Sequence, residues 1–195
     1  MPRPRIEDAE DRLLAAGLNL FARRGTERVN TNAIAKRAQL AVGTFYKHFP
    51  DKHALLREIQ NRTVGALRAA RVEATRGAGT DPEAQVRAST GAAVAFAEAH
   101  AQAYRVTFGR ERAGATAHGP VVSESTRPTA DGLRRLQAAG RLDPALDPEL
   151  AARAYLAMEV GTILWWLDDP ARAGREGIID TLVRLHPALG AGAST

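Results

Sequence analysis

The chain has 195 residues, with 27 Lys and Arg against 22 Asp and Glu, 45% hydrophobic residues and no cysteine. That length holds one sizeable domain or two small ones of ordinary globular composition. Disulfides and thiolate sites are excluded, and no apolar run reaches the roughly eighteen residues of a membrane-spanning helix, so no membrane partner is expected. The charge is unevenly spread: residues 1–76 carry 15 Lys and Arg against 8 Asp and Glu, the remainder 12 against 14. A basic end joined to a mildly acidic remainder is the footprint of a phosphate-binding domain attached to a domain of another kind. The early charges (IEDAEDR) argue against a signal peptide, and a cytoplasmic location is expected.

In chain order, MPRPR is a short basic tail, readable as a minor-groove arm or as a solvated end. Residues 6–24 form a first helix with Ile6, Ala9, Leu13, Ala16, Gly17, Leu20 and Phe21 on one face, ended by Gly25 as a left-handed cap. Asn30 or Thr31 caps the next helix. The run TNAIAKRAQLAVGTFYKHF then reads as two short helices, residues 31–38 and 42–48, around a tight turn at 39–41. Ile34, Ala38, Leu40 and Phe45 are its buried positions, and Ala35 is small enough for the helices to cross closely. This is a helix-turn-helix, whose second helix enters the DNA major groove. Val42, Gly43, Thr44, Tyr46, Lys47 and His48 are left on its outward side or edge. Gly43 admits close backbone approach, Thr44 offers a hydroxyl and a methyl, and Lys47 and Lys52 supply charge for phosphates.

Residues 6–56 resemble the N-terminal DNA-binding domain of the TetR family of transcriptional regulators. The matching run is Ile34-Ala35, Ala38, Gly43-Thr44-Phe45-Tyr46, His48-Phe49, Lys52 and Leu55-Leu56. Two positions depart from the family's habit. Gln39 stands where glycine is usual, and a non-glycine residue held left-handed costs about 1–2 kcal/mol. Ala41 stands where serine is frequent, and a missing hydroxyl cap costs about 1 kcal/mol. The resemblance implies a phosphate contact from Thr31, beside Asn32 at the start of the first helix of the motif. It also implies an all-α fold: a three-helix DNA-binding domain over residues 1–50, then a helical regulatory and dimerisation domain over residues 51–195.

Beyond Pro50-Asp51 a long helix runs to about residue 76, with Leu55, Leu56, Ile59, Thr63, Ala66, Leu67 and Ala70 as its stripe. Some 25 residues make a rod of roughly 38 Å, long enough to leave the first domain and enter the second. Asp81-Pro82 opens another helix, over residues 82–108 and split or kinked near His100. Its polar-spotted apolar face includes Phe96, His100, Tyr104 and Phe108, a pattern that suits a small-molecule pocket and equally a core with satisfied polar groups. Residues 109–127 read as loop with one short helix from Pro120 and a loop histidine at 118, followed by a helix over residues 128–139 and a cap at Gly140. Asp147-Pro148 starts a helix apolar on every side, ending near residue 167. One domain core covers only part of such a helix, so the rest meets a partner subunit or a ligand. Met158, Thr162, Trp165 and Trp166 are its candidate ligand contacts. The two tryptophans point about 100° apart and cannot share one role, and Glu159 pairs with a cationic ligand or reaches an edge. A last helix covers residues 176–185. This ending resembles that of many TetR-family proteins, which implies a homodimer through the last two helices.

No metal-binding or nucleophile motif is present, and the five histidines never pair at metal spacing, so neither cofactor nor enzymatic activity is expected. The reading is a ligand-responsive regulator, a repressor by the family's usual mode, that binds a palindromic operator in double-stranded DNA as a dimer. A small apolar or amphipathic effector releases it. The alternatives are an architectural DNA-binding protein without an effector and an all-α enzyme.

Overall fold

The structure is a computed structural model that describes residues 6–109 and 118–189. The basic tail, residues 110–117 and the end from residue 190 lie outside the described residues. The fold is all-α: the described residues form nine α-helices and one 3-10 turn. The helices are α1 (Ile6–Arg24), α2 (Thr31–Arg37), α3 (Val42–His48), α4 (Lys52–Arg76), α5 (Pro82–Ala99), α6 (Ala101–Phe108), α7 (His118–Ala138), α8 (Pro148–Asp168) and α9 (Arg175–Arg184), with the 3-10 turn at Pro170–Arg172. No helix among the described residues is long and apolar enough to cross a membrane.

The chain divides into two compact units, residues 1–65 with 102–115, and residues 66–101 with 116–195. The first holds α1, α2, α3, the start of α4 and α6. Its core gathers Leu13, Leu20 and Phe21 of α1, Ile34 and Ala35 of α2, Phe45 of α3, and Leu55 and Ile59 of α4, all buried. Burial on this scale stabilises by about 1.5–3 kcal/mol per large apolar side chain. Gly17 is needed where α1 and α4 meet, because a Cβ there would lie 2.3 Å from the fully buried Leu55. Caps set the helix ends as their residues predict. Gly25 adopts φ +74 after α1, and Asn30 Oδ1 accepts the Ala33 amide at 2.8 Å to start α2.

The second unit holds the rest of α4 with α5 and α7 to α9. Helix α7 packs along α8, and α5 packs along α9. Ala130, Leu133, Leu142 and Ala152 form one buried cluster, and Ile178, Ile179, Leu182 and Val183 bury the inner face of α9. Asp81 and Asp147 cap α5 and α8, each followed by proline at the first helical position.

The structure corrects one element boundary and bears out the expected split near His100. Helix α7 begins at His118 rather than near residue 128, so Pro128 lies inside it instead of opening it. A proline there removes one helical hydrogen bond, at a cost of about 3 kcal/mol. Burial of Thr126, Ala130 and Leu133 on either side offsets that cost. The rhythm from Phe96 to Phe108 belongs to two helices, since His100 takes φ −123 and ψ 40 as the C-cap of α5.

Candidate nucleic-acid interface and ligand cavity

Helix α3 is held by its inward side. Phe45 has no exposed surface, and its ring packs edge-on to Tyr46 at 5.5 Å and against Phe49 at 6.0 Å. That anchor leaves the opposite side in solvent: Val42 is 40% and Tyr46 55% exposed, and Gly43 and Lys47 are exposed with them. A Cβ at Gly43 would meet nothing within 4 Å in the subunit, so the space beside it is open to an approaching strand. Thr44 is half-buried, and Asn32 is exposed on α2. Thr31 Oγ1 and the Tyr46 hydroxyl lie 3.0 Å apart, joining the start of α2 to the outer face of α3.

The turn between α2 and α3 carries the strain its sequence implies. Gln39 sits at φ +56, the sole non-glycine residue with positive φ among the described residues. Ala41 caps α3 with no side-chain hydrogen bond. A brace that the sequence reading missed compensates: the Arg12 guanidinium of α1 donates to the Ala38 carbonyl at 2.7 Å and the Gln39 carbonyl at 3.3 Å. Lys52 plays a related part. Its ammonium donates to the carbonyls of Thr26 and Glu27 at 2.9 and 3.3 Å, so it first ties α4 to the loop before α2. His48 is half-buried, with Nδ1 3.9 Å from Glu10 Oε2. Only their position marks Arg12 and Lys52 as braces, because the partners are backbone carbonyls 26 residues away.

The second unit contains a cavity of about 490 Å³. Val86, Leu133, Leu136 and Leu156 supply apolar wall, and Ser89, Thr90, Tyr155 and His186 supply polar groups. Arg71 of α4 reaches its edge, where Nη2 lies 2.5 Å from Glu159 Oε2 and Nη1 donates to Ser89 Oγ at 3.1 Å. Glu159 has no exposed surface, and its other oxygen has no hydrogen-bond partner. Glu159 thus neither awaits a cationic ligand nor reaches an edge, the two roles expected of it; its cation is within the chain. The Tyr155 hydroxyl lies 3.4 Å from Thr90 Oγ1, and burial together with the Glu159 charge pushes its pKa up. His186 packs edge-on to Tyr155 at 4.4 Å, and burial with the nearby Arg71 charge lowers its pKa to about 4.

None of the candidate ligand contacts read from the sequence walls this cavity. Phe96 is half-buried and His100 exposed, their rings 4.6 Å apart, whereas Tyr104 and Phe108 are buried in the other compact unit. Met158 and Thr162 are half-buried on α8. The tryptophans separate as their angle requires. Trp166 is buried and donates from Nε1 to the Ala173 carbonyl at 3.0 Å, while Trp165 is 48% exposed beneath the Arg172 guanidinium. With Trp165, an outward line along α8 leaves Leu150, Ala154, Ala157 and Gly161 exposed. No group of three or more acidic or histidine side chains suited to a metal occurs among the described residues.

Comparison with known proteins agrees with this geometry. Residues 13–59 match the family model described as bacterial regulatory proteins, tetR family. Over 50 residues the chain is 44% identical to the HTH-type transcriptional repressor KstR of Rhodococcus jostii (strain RHA1), covering 26% of this chain and 24% of KstR. The chain thus matches about a quarter of that relative's length. Two solved structures share the fold over nearly the whole chain. NalD of Pseudomonas aeruginosa, the secondary repressor of the MexAB-OprM multidrug efflux pump, superposes with a TM-score of 0.75 at 22% identity, covering 96% of this chain and 98% of NalD. The transcriptional regulator FadR of Bacillus subtilis, solved with stearoyl-CoA, gives 0.76 at 15% identity, covering 91% and 97%.

Proposed function

We propose, from the premise that this chain is a TetR-family protein, that it is a dimeric, ligand-released repressor of transcription. The observation that carries the reading is the outward ridge of α3, where Val42, Gly43, Tyr46 and Lys47 stand in solvent behind a fully buried Phe45. Residues 1–50 read DNA, and residues 51–195 sense and dimerise. Thr31, Asn32 and Thr44 flank the ridge for phosphate contacts, with His48 and Lys52 at its edge. Lys52 supplies its charge from a fixed position on the Thr26 carbonyl.

Dimerisation is supported by the exposed line on α8 from Leu150 through Ala154, Ala157 and Gly161 to Trp165. Small residues in its middle admit a second copy's helix closely, and Leu150 and Trp165 anchor the ends. Symmetry then sets two α3 helices about 34–36 Å apart, in successive major grooves. The effector enters the cavity beside Arg71. It releases DNA by binding one arrangement of α4 better than the other, since a ligand shifts an equilibrium only by its differential affinity. FadR, the B. subtilis neighbour, was solved in complex with stearoyl-CoA, so this fold holds a small molecule in that protein.

Selection of bound DNA from a random pool tests the reading. The expected product is a near-palindrome with half-sites about one helical turn apart. Tyr46→Ala weakens binding selectively, and Lys47→Ala weakens all sequences and lowers the salt slope by about one. Enrichment of no sequence, with binding governed by salt alone, would establish the architectural alternative instead.

A further inference from the structure

The chemical class of the effector follows from the charge of the cavity, an inference that rests on the proposed function and makes it specific. Among the described residues, every charged side chain that walls the cavity is a cation: Arg71, Arg135 and Arg141, with no Asp or Glu. Glu159 neutralises Arg71 from behind. Arg135 and Arg141 are different. Both are exposed at the wall and make no ion pair with a described residue, whereas their neighbour Arg134 is engaged by Asp131 and Glu149.

The neutral polar groups point the same way. His186 accepts the Ala188 amide at Nδ1, 3.1 Å away, which leaves its proton on Nε2 as a donor. Its lowered pKa, about 4, keeps the ring neutral at ordinary pH. Behind these groups lie Val86, Leu133, Leu136 and Leu156. A cation entering would meet three guanidiniums, and a neutral apolar molecule would gain nothing from the two that have no carboxylate beside them. A carboxylate presents two oxygens that match the guanidinium fork.

We propose that the effector is an amphipathic organic anion, with its carboxylate or phosphate oxygens held by Arg135 and Arg141 and its apolar body laid against Val86, Leu133, Leu136 and Leu156. The volume of about 490 Å³ is within the range of small-molecule sites.

Calorimetric titration of the full chain without DNA tests this. The probes are straight-chain alkanoates from hexanoate to tetradecanoate, with the matching alcohols, amines and alkyl phosphates, each below its micelle concentration. At the best chain length the alkanoate and the alkyl phosphate each bind roughly tenfold tighter than the alcohol, and the amine binds weakest. The double variant Arg135→Ala/Arg141→Ala loses roughly tenfold for the alkanoate and keeps its affinity for the alcohol. Arg135→Lys/Arg141→Lys retains part of the preference. Arg184→Ala, which removes an exposed arginine of α9 that does not wall the cavity, changes nothing. Equal binding of amine and alkanoate at every length, or an unaltered double variant, overturns the inference. Alkanoate binding that fails to release operator DNA overturns the repressor reading and leaves the anion site standing. Operator release by a cationic compound, with no alkanoate bound, does the reverse.

Discussion

The two compact units treat buried charge in opposite ways. Around α3 the interior is carried by Leu13, Phe21, Ile34, Phe45 and Leu55, while charge stays at the surface, where Arg62 gathers Glu58, Asp11 and Glu10. In the second unit a carboxylate with no exposure, Glu159, is matched by a single arginine and carries one oxygen without a hydrogen bond. An apolar interior packed to native density has one arrangement, which suits a surface that must keep its shape. A buried ion pair with one oxygen unmatched is sensitive to small changes in its partners, which on the proposed function suits a unit that responds to a ligand. If the proposed function holds, the difference teaches that recognition and response have been given different kinds of core.

The largest expected effect attacks the polar interior. Arg71→Ala leaves Glu159 buried without its cation and destabilises the protein by about 3–5 kcal/mol, measured by denaturant titration. Replacing both, as Arg71→Met/Glu159→Leu, restores most of that loss, since an apolar pair needs no compensation. A double variant as unstable as the single would show that the contrast between the units is not electrostatic.

Next in size is a pH effect confined to the second unit. The folded pKa of His186, about 4, lies below its ordinary 6.5, so the unfolded chain takes up the proton first. Its contribution is complete above pH 6.5, falls as the pH drops, and is lost near pH 4. The total is about 3 kcal/mol. Comparing stability across that range in the parent and in His186→Gln checks it: the variant flattens the decline. The smallest effect belongs to the apolar unit. Gln39→Gly relieves the left-handed strain and stabilises by about 1 kcal/mol, read as a higher denaturant midpoint with unchanged slope.

Much of the fold was legible because local chemistry announced it. Asn30, Asp81 and Asp147 cap helices, Gly25 and Gly140 adopt positive φ, and Phe45 lies at the centre of its core. The outward set on α3 followed from the same periodicity that buried Phe45. What escaped depends on long-range partners. Pro128 reads as a helix start, and only the burial of Thr126 and Ala130 around it explains a helix that continues through. Glu159 and Arg71 are 88 residues apart, so no spacing rule joins them. The cavity was missed for a like reason. The aromatic rhythm on α5 and α6 was conspicuous, whereas the walls come from α4, α5, α7 and α8 together, with His186 after α9.

The guanidinium of Arg12 has a consequence for how the reading head behaves when no DNA is near. By holding the carbonyls of Ala38 and Gln39 from outside, it lets a sequence without the usual glycine keep its bend. Arg12→Ala is therefore expected to speed amide hydrogen exchange at Leu40, whose N–H closes the bend onto the Ala35 carbonyl at 2.9 Å, without altering any atom that faces the groove. Affinity for an operator would then fall through added disorder in the unbound protein, and pairing Arg12→Ala with Gln39→Gly would recover it.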